Sequence, residues 1–182
     1  MSASPPVAAG RPLYTPEERL RRDSSPWTIV QGVLAPLQLL ACLVSLWLVL
    51  RFLRTGLGAE AATLSVIVKT GFLYAIMLTG AIWEKKVFGV WLFAPSFFWE
   101  DVVSMVVIAL HTAYLYAFLT DALELREQMW LALSAYAAYV INAAQFFYKL
   151  RLARKTSAAA HAGQTRCRAD ELPLDPARMA DA

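Results

Sequence analysis

The sequence predicts an all-α integral membrane protein, a four-helix bundle with an interfacial aromatic segment between its second and third spans. Two observations lead to this fold class. Hydrophobic residues make up 58% of the 182-residue chain and the mean hydropathy is +0.47, which is too apolar for an ordinary soluble domain. The charged residues crowd into the two ends and three short gaps between apolar segments, which is the pattern of a multi-pass membrane protein.

Four apolar segments each have about the 20 residues that a spanning helix needs. Lipid offers no hydrogen-bond partners to the backbone, so each segment should be helical. Two of the three gaps are short, so the helices that they join should run antiparallel. The predicted spans are Trp27–Leu53, Ala61–Trp83, Asp101–Thr120 and Gln128–Leu150.

The segments outside the spans predict the organisation and the orientation. Residues 1–26 form an N-terminal arm, residues 27–150 the membrane domain, and residues 151–182 a basic tail that is predicted to be disordered. Thirteen of the 17 Lys and Arg residues lie in the arm, the middle gap and the C-terminal part from Lys149 onward. Cytoplasmic loops carry such an excess, so both termini and the middle gap should face the cytoplasm. No cleaved signal peptide is predicted.

Polar residues interrupt the apolar spans, although polar groups in lipid are costly. With about 1.5 Å of rise per residue, the predicted orientation places Gln38, Lys69 and His111 near the bilayer midplane. Other polar residues fall toward the cytoplasmic side. Helical spacing gives each span one polar stripe, so the stripes should face one another or a cavity. The cytoplasmic-side set comprises Gln31, Glu84, Glu100, Asp101, Asn142 and Gln145.

Each of these polar residues also has a purely structural interpretation. A Gln or Asn in a span is often a hydrogen-bonding contact between helices. The acids serve equally well as interfacial charges that end helices, and Asp101 suits a helix N-terminus. Lys69 is deep, so a partner acid or a cavity is expected for it. For His111 three interpretations stay open, namely a ligand, a proton carrier and a core residue with satisfied hydrogen bonds.

The aromatic part of the middle gap, Val87–Trp99, is too short to span. Gly89 and Pro95 predict a helix–break–helix segment that lies in the interface and covers a cavity between the helices. Aromatic walls with a few acids suit a large, planar, apolar ligand. No phosphate-binding loop, zinc motif or nucleophile elbow is present, which gives nucleotide binding, zinc chemistry and serine hydrolysis no support. The basic tail is expected to touch anionic lipid rather than nucleic acid.

Four stretches of the sequence resemble the 3-vinyl bacteriochlorophyllide hydratase family, and the likeness runs from Leu13 to Arg154. They are LYTPEERLRRDSSPWTIVQGVLAPLQ, TGAIWEKKVFGVWLFAPSFFWEDVVSM, ALHTAYL and AYAAYVINAAQF. The resemblance implies a hydro-lyase of bacteriochlorophyll biosynthesis in the inner membrane of a photosynthetic bacterium. It would add water to the 3-vinyl group of chlorophyllide a or bacteriochlorophyllide a, giving the 3-(1-hydroxyethyl) product. Other pigment-synthesis enzymes are conceivable partners.

The chemistry implied by the resemblance needs an acid, a group that steers water, and a pocket that excludes solvent. No redox cofactor or protein-bound metal is required, since the substrate carries its own Mg²⁺. Glu84 or Glu100 is expected to donate the proton, with the other acid or Asp101 steering water, because an apolar wall favours a protonated carboxyl. His111 is expected to be either the axial ligand to the substrate Mg²⁺ or the base. The expected substrate-binding residues are Gln31, Gln38, Lys69, Trp99, Ser104, Asn142 and Gln145.

The main rival hypothesis is a non-catalytic membrane carrier or assembly factor for tetrapyrroles. It would use the same cavity with His111 as the Mg²⁺ ligand, while the acids only end helices. A haem protein with two histidine ligands is disfavoured, because the only other histidine, His161, lies in the tail. Catalytic turnover separates the enzyme from the carrier.

Overall fold

The computed structural model describes residues 13–170, and within that range it describes the side chains of residues 13–149, 151 and 152. Residues 14–146 form one compact unit, which contains every predicted site residue, and the part of the chain from Phe147 onward belongs to a second unit. Every regular element in the described range is helical, which confirms the all-α prediction. The five helices are α1 (Pro16–Ser24), α2 (Pro26–Thr55), α3 (Ala59–Phe88), α4 (Phe98–Thr120) and α5 (Leu125–Asp170).

Helix α1 lies in the segment that the sequence analysis treated only as an arm. Thr15 accepts a hydrogen bond from the Glu18 backbone N–H at 3.2 Å, and the Glu18 carboxylate accepts one from the Thr15 N–H at 2.8 Å. This capping box, with Pro16 in the first turn, fixes the start of the helix. The run TPEE carried that signal in the sequence. Tyr14 anchors the entry to α1 by stacking on Phe88, with ring centroids 5.7 Å apart.

Three helices in the described range, α2, α3 and α4, are long and apolar enough to cross a membrane. They contain the first, second and third predicted spans, so the chain is a membrane-associated helical protein. The fourth predicted span lies within α5, which is not one of these three, and the crossing by α5 stays a prediction. Helix α5 continues to Asp170, whereas the tail was expected to be disordered from residue 151. The alanine-rich sequence of that segment has high helix propensity, in keeping with the difference.

The aromatic segment between α3 and α4 differs from the predicted helix–break–helix. Helix α3 ends at Gly89, which has φ 82° and donates its N–H to the Lys85 carbonyl at 3.2 Å, and α4 begins only at Phe98. Residues 89–97, the aromatic loop, contain no helix. A left-handed glycine ends a helix readily, and Pro95 disfavours the helical conformation in the residue before it. The loop's predicted place in the membrane interface stays a prediction.

The buried apolar core draws on all four of the long helices. Val49 of α2, Val66 of α3, Tyr114 of α4 and Met129 of α5 belong to one cluster of buried residues. Small side chains such as Ala132 let the helices approach closely at this level. The core therefore fixes the mutual rotation of α2–α5, and with it the faces that carry the polar residues.

Candidate functional site

The three predicted acids are buried together where the C-terminal end of α3 meets the N-terminal end of α4. Glu84, Glu100 and Asp101, the carboxyl cluster, are only 5%, 6% and 5% exposed. The side-chain carboxyl of Glu84 is hydrogen-bonded to that of Asp101. Two ionised carboxylates have only acceptor oxygens, so this hydrogen bond requires a proton on one of the two residues. The structure thus pairs the side chain of Glu84 with that of Asp101.

The same two acids hold the aromatic loop in place. Asp101 Oδ2 accepts a hydrogen bond from the Phe93 N–H at 2.8 Å, and Glu84 Oε2 accepts one from the Ala94 N–H at 3.3 Å. Phe93 has φ 59°, a left-handed conformation that costs a non-glycine residue about 1–2 kcal/mol. The sequence analysis considered Asp101 as a cap for its own helix. Because α4 begins at Phe98, Asp101 lies at its fourth position and caps the loop instead.

A layer of uncharged polar groups lies one turn further along α4. Ser104 Oγ donates to the Glu100 carbonyl oxygen at 2.8 Å, and Asn142 Nδ2 donates to Ser104 Oγ at 2.7 Å. Ser104 and Asn142 are both buried, so this contact joins α4 and α5 inside the protein. Asn142 Oδ1 and Gln145 Oε1 are buried and have no hydrogen-bond partner among the described residues. Ser104, Asn142 and Gln145, which the sequence analysis expected to bind substrate, therefore each have polar side-chain atoms in the protein interior.

Lys69 and His111 form a second polar site at a different level. Lys69 Nζ lies 2.7 Å from His111 Nε2, and His111 Nδ1 lies 2.7 Å from the Val107 carbonyl oxygen. The carbonyl can only accept, so Nδ1 carries the proton and Nε2 of this neutral imidazole accepts from Lys69. The lysine amine also lies over the Tyr139 ring, 4.3 Å from its centroid, and 5.5 Å from the centroid of Tyr136. Lys69 was expected to meet an acid or a cavity, and it meets an imidazole and aromatic faces instead.

This site continues toward α2 through hydroxyl groups. Ser45 Oγ lies 2.6 Å from the Tyr136 hydroxyl and 2.7 Å from Ser65 Oγ. We call Ser45, Ser65, Lys69, His111 and Tyr136 the lysine network. It contains residues from α2, α3, α4 and α5, and Lys69 and His111 within it are 0% exposed.

The lysine network and the carboxyl cluster are separate. His111 and Asp101 are ten residues apart on α4, which corresponds to about 15 Å along the helix axis. Both ring nitrogens of His111 are already engaged. A role as axial Mg²⁺ ligand or as base would require Nε2 to give up its contact with Lys69. The structure therefore does not bring His111 together with the acids, and its expected roles stay predictions.

The remaining expected binding residues fall into three different environments. Gln31 Nε2 donates to Thr79 Oγ1 at 2.7 Å, so this amide joins α2 to α3. Gln38 is buried, and its Nε2 has no partner among the described residues. Trp99 is 69% exposed and meets Phe98 edge to face. Trp99 therefore points away from the carboxyl cluster, unlike the neighbouring acids.

A set of aromatic rings comes from the residues that flank the carboxyl cluster in the chain and from α5. Trp83 precedes Glu84 in α3, and its ring meets those of Phe88 and Phe97 edge to face at 5.7 and 5.9 Å. Phe97 in turn stacks on Phe146 of α5, with ring centroids 6.0 Å apart. These rings supply the apolar wall that the sequence predicted for the acids. The signal for these rings in the sequence was the high density of aromatic residues between Trp83 and Trp99.

Two hollows in the described part of the chain lie elsewhere. One of about 250 Å³ lies between α2 and α5, where Cys42, Tyr136 and Tyr139 contribute to its lining. The other, of about 430 Å³, includes Glu60 and Leu125 at the opposite end of α3 from the acids. Neither is lined by the carboxyl cluster.

Comparisons with known proteins bear on the whole of this unit. The family model described as 2-vinyl bacteriochlorophyllide hydratase (BCHF) matches residues 14–152. A protein named 2-vinyl bacteriochlorophyllide hydratase from Rhodobacter capsulatus is 61% identical over 163 residues, covering 90% of this chain and 95% of the relative. One of the same name from Cereibacter sphaeroides is 59% identical over 160 residues, covering 88% and 99%. No solved structure matches.

Proposed function

The chain belongs to the 2-vinyl bacteriochlorophyllide hydratase family and is a hydro-lyase of bacteriochlorophyll synthesis, and we propose that it hydrates the vinyl group of chlorophyllide a or bacteriochlorophyllide a. The family names with 2-vinyl and 3-vinyl number the same ring substituent in two ways. Water adds across the carbon–carbon double bond to give the 1-hydroxyethyl group. Substrate, water and bilayer are the partners that this proposal requires.

The observation that carries the assignment of the site is that Glu84 and Asp101 are buried together and accept hydrogen bonds from the adjacent N–H groups of Ala94 and Phe93. We propose that one member of this pair holds a proton and the other does not, so that acid and base lie in the same place, as in carboxylate dyads generally. The protonated member gives its proton to the terminal vinyl carbon. The cation at the inner carbon is stabilised by conjugation with the macrocycle, and the nearby negative carboxylate favours it further.

The addition of water returns the carboxyl pair to its starting protonation state. Water attacks the inner carbon, and the oxonium that forms loses a proton to the carboxylate that donated one. The bonds and charges then balance, because one water is consumed and the pair again holds a single proton. The alternative that Glu100 is the donor differs from this assignment, and separate variants of Glu84, Glu100 and Asp101 distinguish the two.

Access to the pair runs through the aromatic loop. The pair is almost fully covered, and the N–H groups of Phe93 and Ala94 occupy one oxygen of each acid. We propose that the vinyl edge of the macrocycle reaches the pair when these two hydrogen bonds open. The rings of Trp83, Phe88 and Phe97 then offer flat apolar surface to the macrocycle. No step is routed through His111, since its ring nitrogens are engaged.

The proposed location is the bacterial inner membrane, with four crossings and both termini in the cytoplasm. The distribution of Lys and Arg along the chain supports this orientation. It places the carboxyl cluster on the cytoplasmic side, where a water-soluble carboxylate of the pigment would remain near the headgroups. Protease accessibility of tags at the two termini in oriented membrane vesicles tests the orientation.

Turnover by the purified protein tests the function. Protein in detergent or nanodiscs is mixed with a hundredfold excess of chlorophyllide a, and the pigments are separated by chromatography. We expect the vinyl pigment to be converted in large excess over protein, with a blue shift of its red absorption band. Pigment that is bound and released unchanged would support the carrier hypothesis instead.

A further inference from the structure

We infer that the buried amide oxygens of Asn142 and Gln145 hold and orient the water molecule that is added to the vinyl group. The inference rests on the proposed hydration at the carboxyl pair and names the second substrate's place in that site. Asn142 Oδ1 and Gln145 Oε1 are the atoms that carry it, because both are buried and neither has a partner among the described residues.

The orientation of the Asn142 amide, that is, which side carries oxygen and which nitrogen, follows from the donor and acceptor roles of its neighbours. Ser104 has a single hydroxyl proton, and the Glu100 carbonyl oxygen, 2.8 Å from Ser104 Oγ, can only accept it. Ser104 Oγ must therefore accept from Asn142, so the amide turns its Nδ2 to Ser104 at 2.7 Å. Asn142 Oδ1 is consequently directed away from Ser104 and remains an acceptor in need of a donor.

The chemistry of these atoms selects water over a polar group of the pigment. A carbonyl or carboxylate oxygen of a tetrapyrrole can only accept hydrogen bonds, so it cannot satisfy the acceptors Asn142 Oδ1 and Gln145 Oε1, whereas a water can donate to both. A buried acceptor without a donor is costly, and ordered water commonly satisfies such groups. The two residues are three apart on α5, which places their side chains on neighbouring positions of the helix surface.

Two acceptors on one water also suit the reaction. A water that donates its hydrogens to Asn142 Oδ1 and Gln145 Oε1 directs its lone pairs away from α5, toward an electrophile. After attack, the oxonium turns one hydrogen from an amide oxygen to the carboxylate that takes up the proton. Ser104, the contact of Asn142, lies three residues from Asp101 on α4, about 4.5 Å along the axis, so Asn142 is held about one turn from a member of the carboxyl pair.

The test uses methanol as a competing nucleophile, with full-length protein in nanodiscs and chlorophyllide a as substrate. Asn142→Leu removes the acceptor at similar volume. We expect kcat to fall about tenfold, the effect of losing roughly one transition-state hydrogen bond, with KM changed less than about twofold. We also expect the ratio of methoxyethyl to hydroxyethyl product to rise several-fold, because bulk nucleophile then captures the cation. A purely structural role would not move this ratio.

The chain offers a matched control in Gln128. Gln128 lies on α5, is 5% exposed and has a buried Oε1 with no partner among the described residues, but it is 14 residues from Asn142, about 21 Å away. Gln128→Leu should change neither kcat nor the product ratio. If Asn142→Leu fails to accumulate as folded protein, Gln145→Met provides the same measurement at the less buried position.

The outcomes separate the two proposals. An active wild type, with the variant Asn142→Leu or Gln145→Met retaining both its kcat and its product ratio, overturns the water site and leaves the hydratase proposal intact. A wild type that forms neither alcohol nor methyl ether from the vinyl pigment overturns the hydratase proposal itself.

Discussion

The lysine network and the carboxyl cluster are both buried polar sites, and they differ in how fully their hydrogen bonds are satisfied. In the lysine network, Lys69 Nζ, both nitrogens of His111 and the hydroxyls of Ser45 and Tyr136 all have partners within 2.6–2.7 Å. Around the carboxyl cluster, two buried acids are paired with each other, and the neighbouring Asn142 has an acceptor oxygen with no partner among the described residues. The first site needs nothing from outside the protein, whereas the second calls for a further partner.

The difference bears on how buried polar residues of this protein are interpreted. Lys69 and His111 lie near the middle of their predicted spans, and the sequence analysis expected Lys69 to bind substrate and His111 to act as a catalytic residue or Mg²⁺ ligand. A fully satisfied network is explained by packing alone, because pairing offsets the cost of burying polar groups. The acids Glu84 and Asp101, which face each other and hold a loop residue with a left-handed φ, are the ones that we propose for the chemistry.

The largest effect is expected from the carboxyl pair. Glu84→Gln and Asp101→Asn should each lower the hydration rate about 10²–10⁴-fold, the usual contribution of general acid–base catalysis, because an amide cannot share the proton. Initial rates per folded protein measure this. Glu60→Gln is the matched control, since it is an exposed acid at the other end of α3. Full activity in both Glu84→Gln and Asp101→Asn would show that the carboxyl pair is not the catalytic site.

Glu100→Gln should lower the rate by clearly less than Glu84→Gln does. Glu100 is buried in the same turn as Asp101, but the shared proton lies between Glu84 and Asp101. The same rate assay, with variants expressed side by side, ranks the three acids. If Glu100→Gln proves the most damaging, the donor is Glu100 and the pair acts chiefly by holding the aromatic loop.

The lysine network should respond in stability rather than in chemistry. Lys69→Met leaves the Nε2 of His111 without its donor, which should cost about 1–3 kcal/mol of folding free energy. His111→Leu should cost a similar amount, and the double variant should cost less than the sum, because it removes both partners together. Thermal unfolding in detergent and activity per folded protein are the measurements. Loss of pigment binding in His111→Leu at unchanged stability would revive the axial-ligand role.

The smallest effect is expected in the aromatic loop. Phe93→Gly removes the steric cost of a left-handed φ but raises the entropy of the unfolded chain, so stability should change by no more than about 1 kcal/mol. Phe93→Val, a β-branched residue at the same φ, should be the less stable of the two. Thermal midpoints of both variants compare the backbone contribution directly. Equal losses would show that the Phe93 ring, rather than its conformation, matters to the loop.

Some features were available in the sequence and went unused. The run TPEE predicts the capping box that begins α1. Trp99 and Asp101 are two residues apart, which puts them about 200° apart around any helix that contains both, so they cannot both face inward. Because α4 begins at Phe98, Trp99 lies on its exposed side, and the binding role of Trp99 stays a prediction.

By itself, the sequence determined the apolar helices, the acids at the ends of two of them and the single polar stripe on each, because these follow from composition and helical period. Only the tertiary structure decided that Glu84 meets Asp101, that Lys69 meets His111 and that Asn142 meets Ser104. Helical period fixes the face on which a residue lies but not the rotation, tilt and axial offset of one helix against another. Those are set by the packing of the core residues and by the loop that joins α3 to α4.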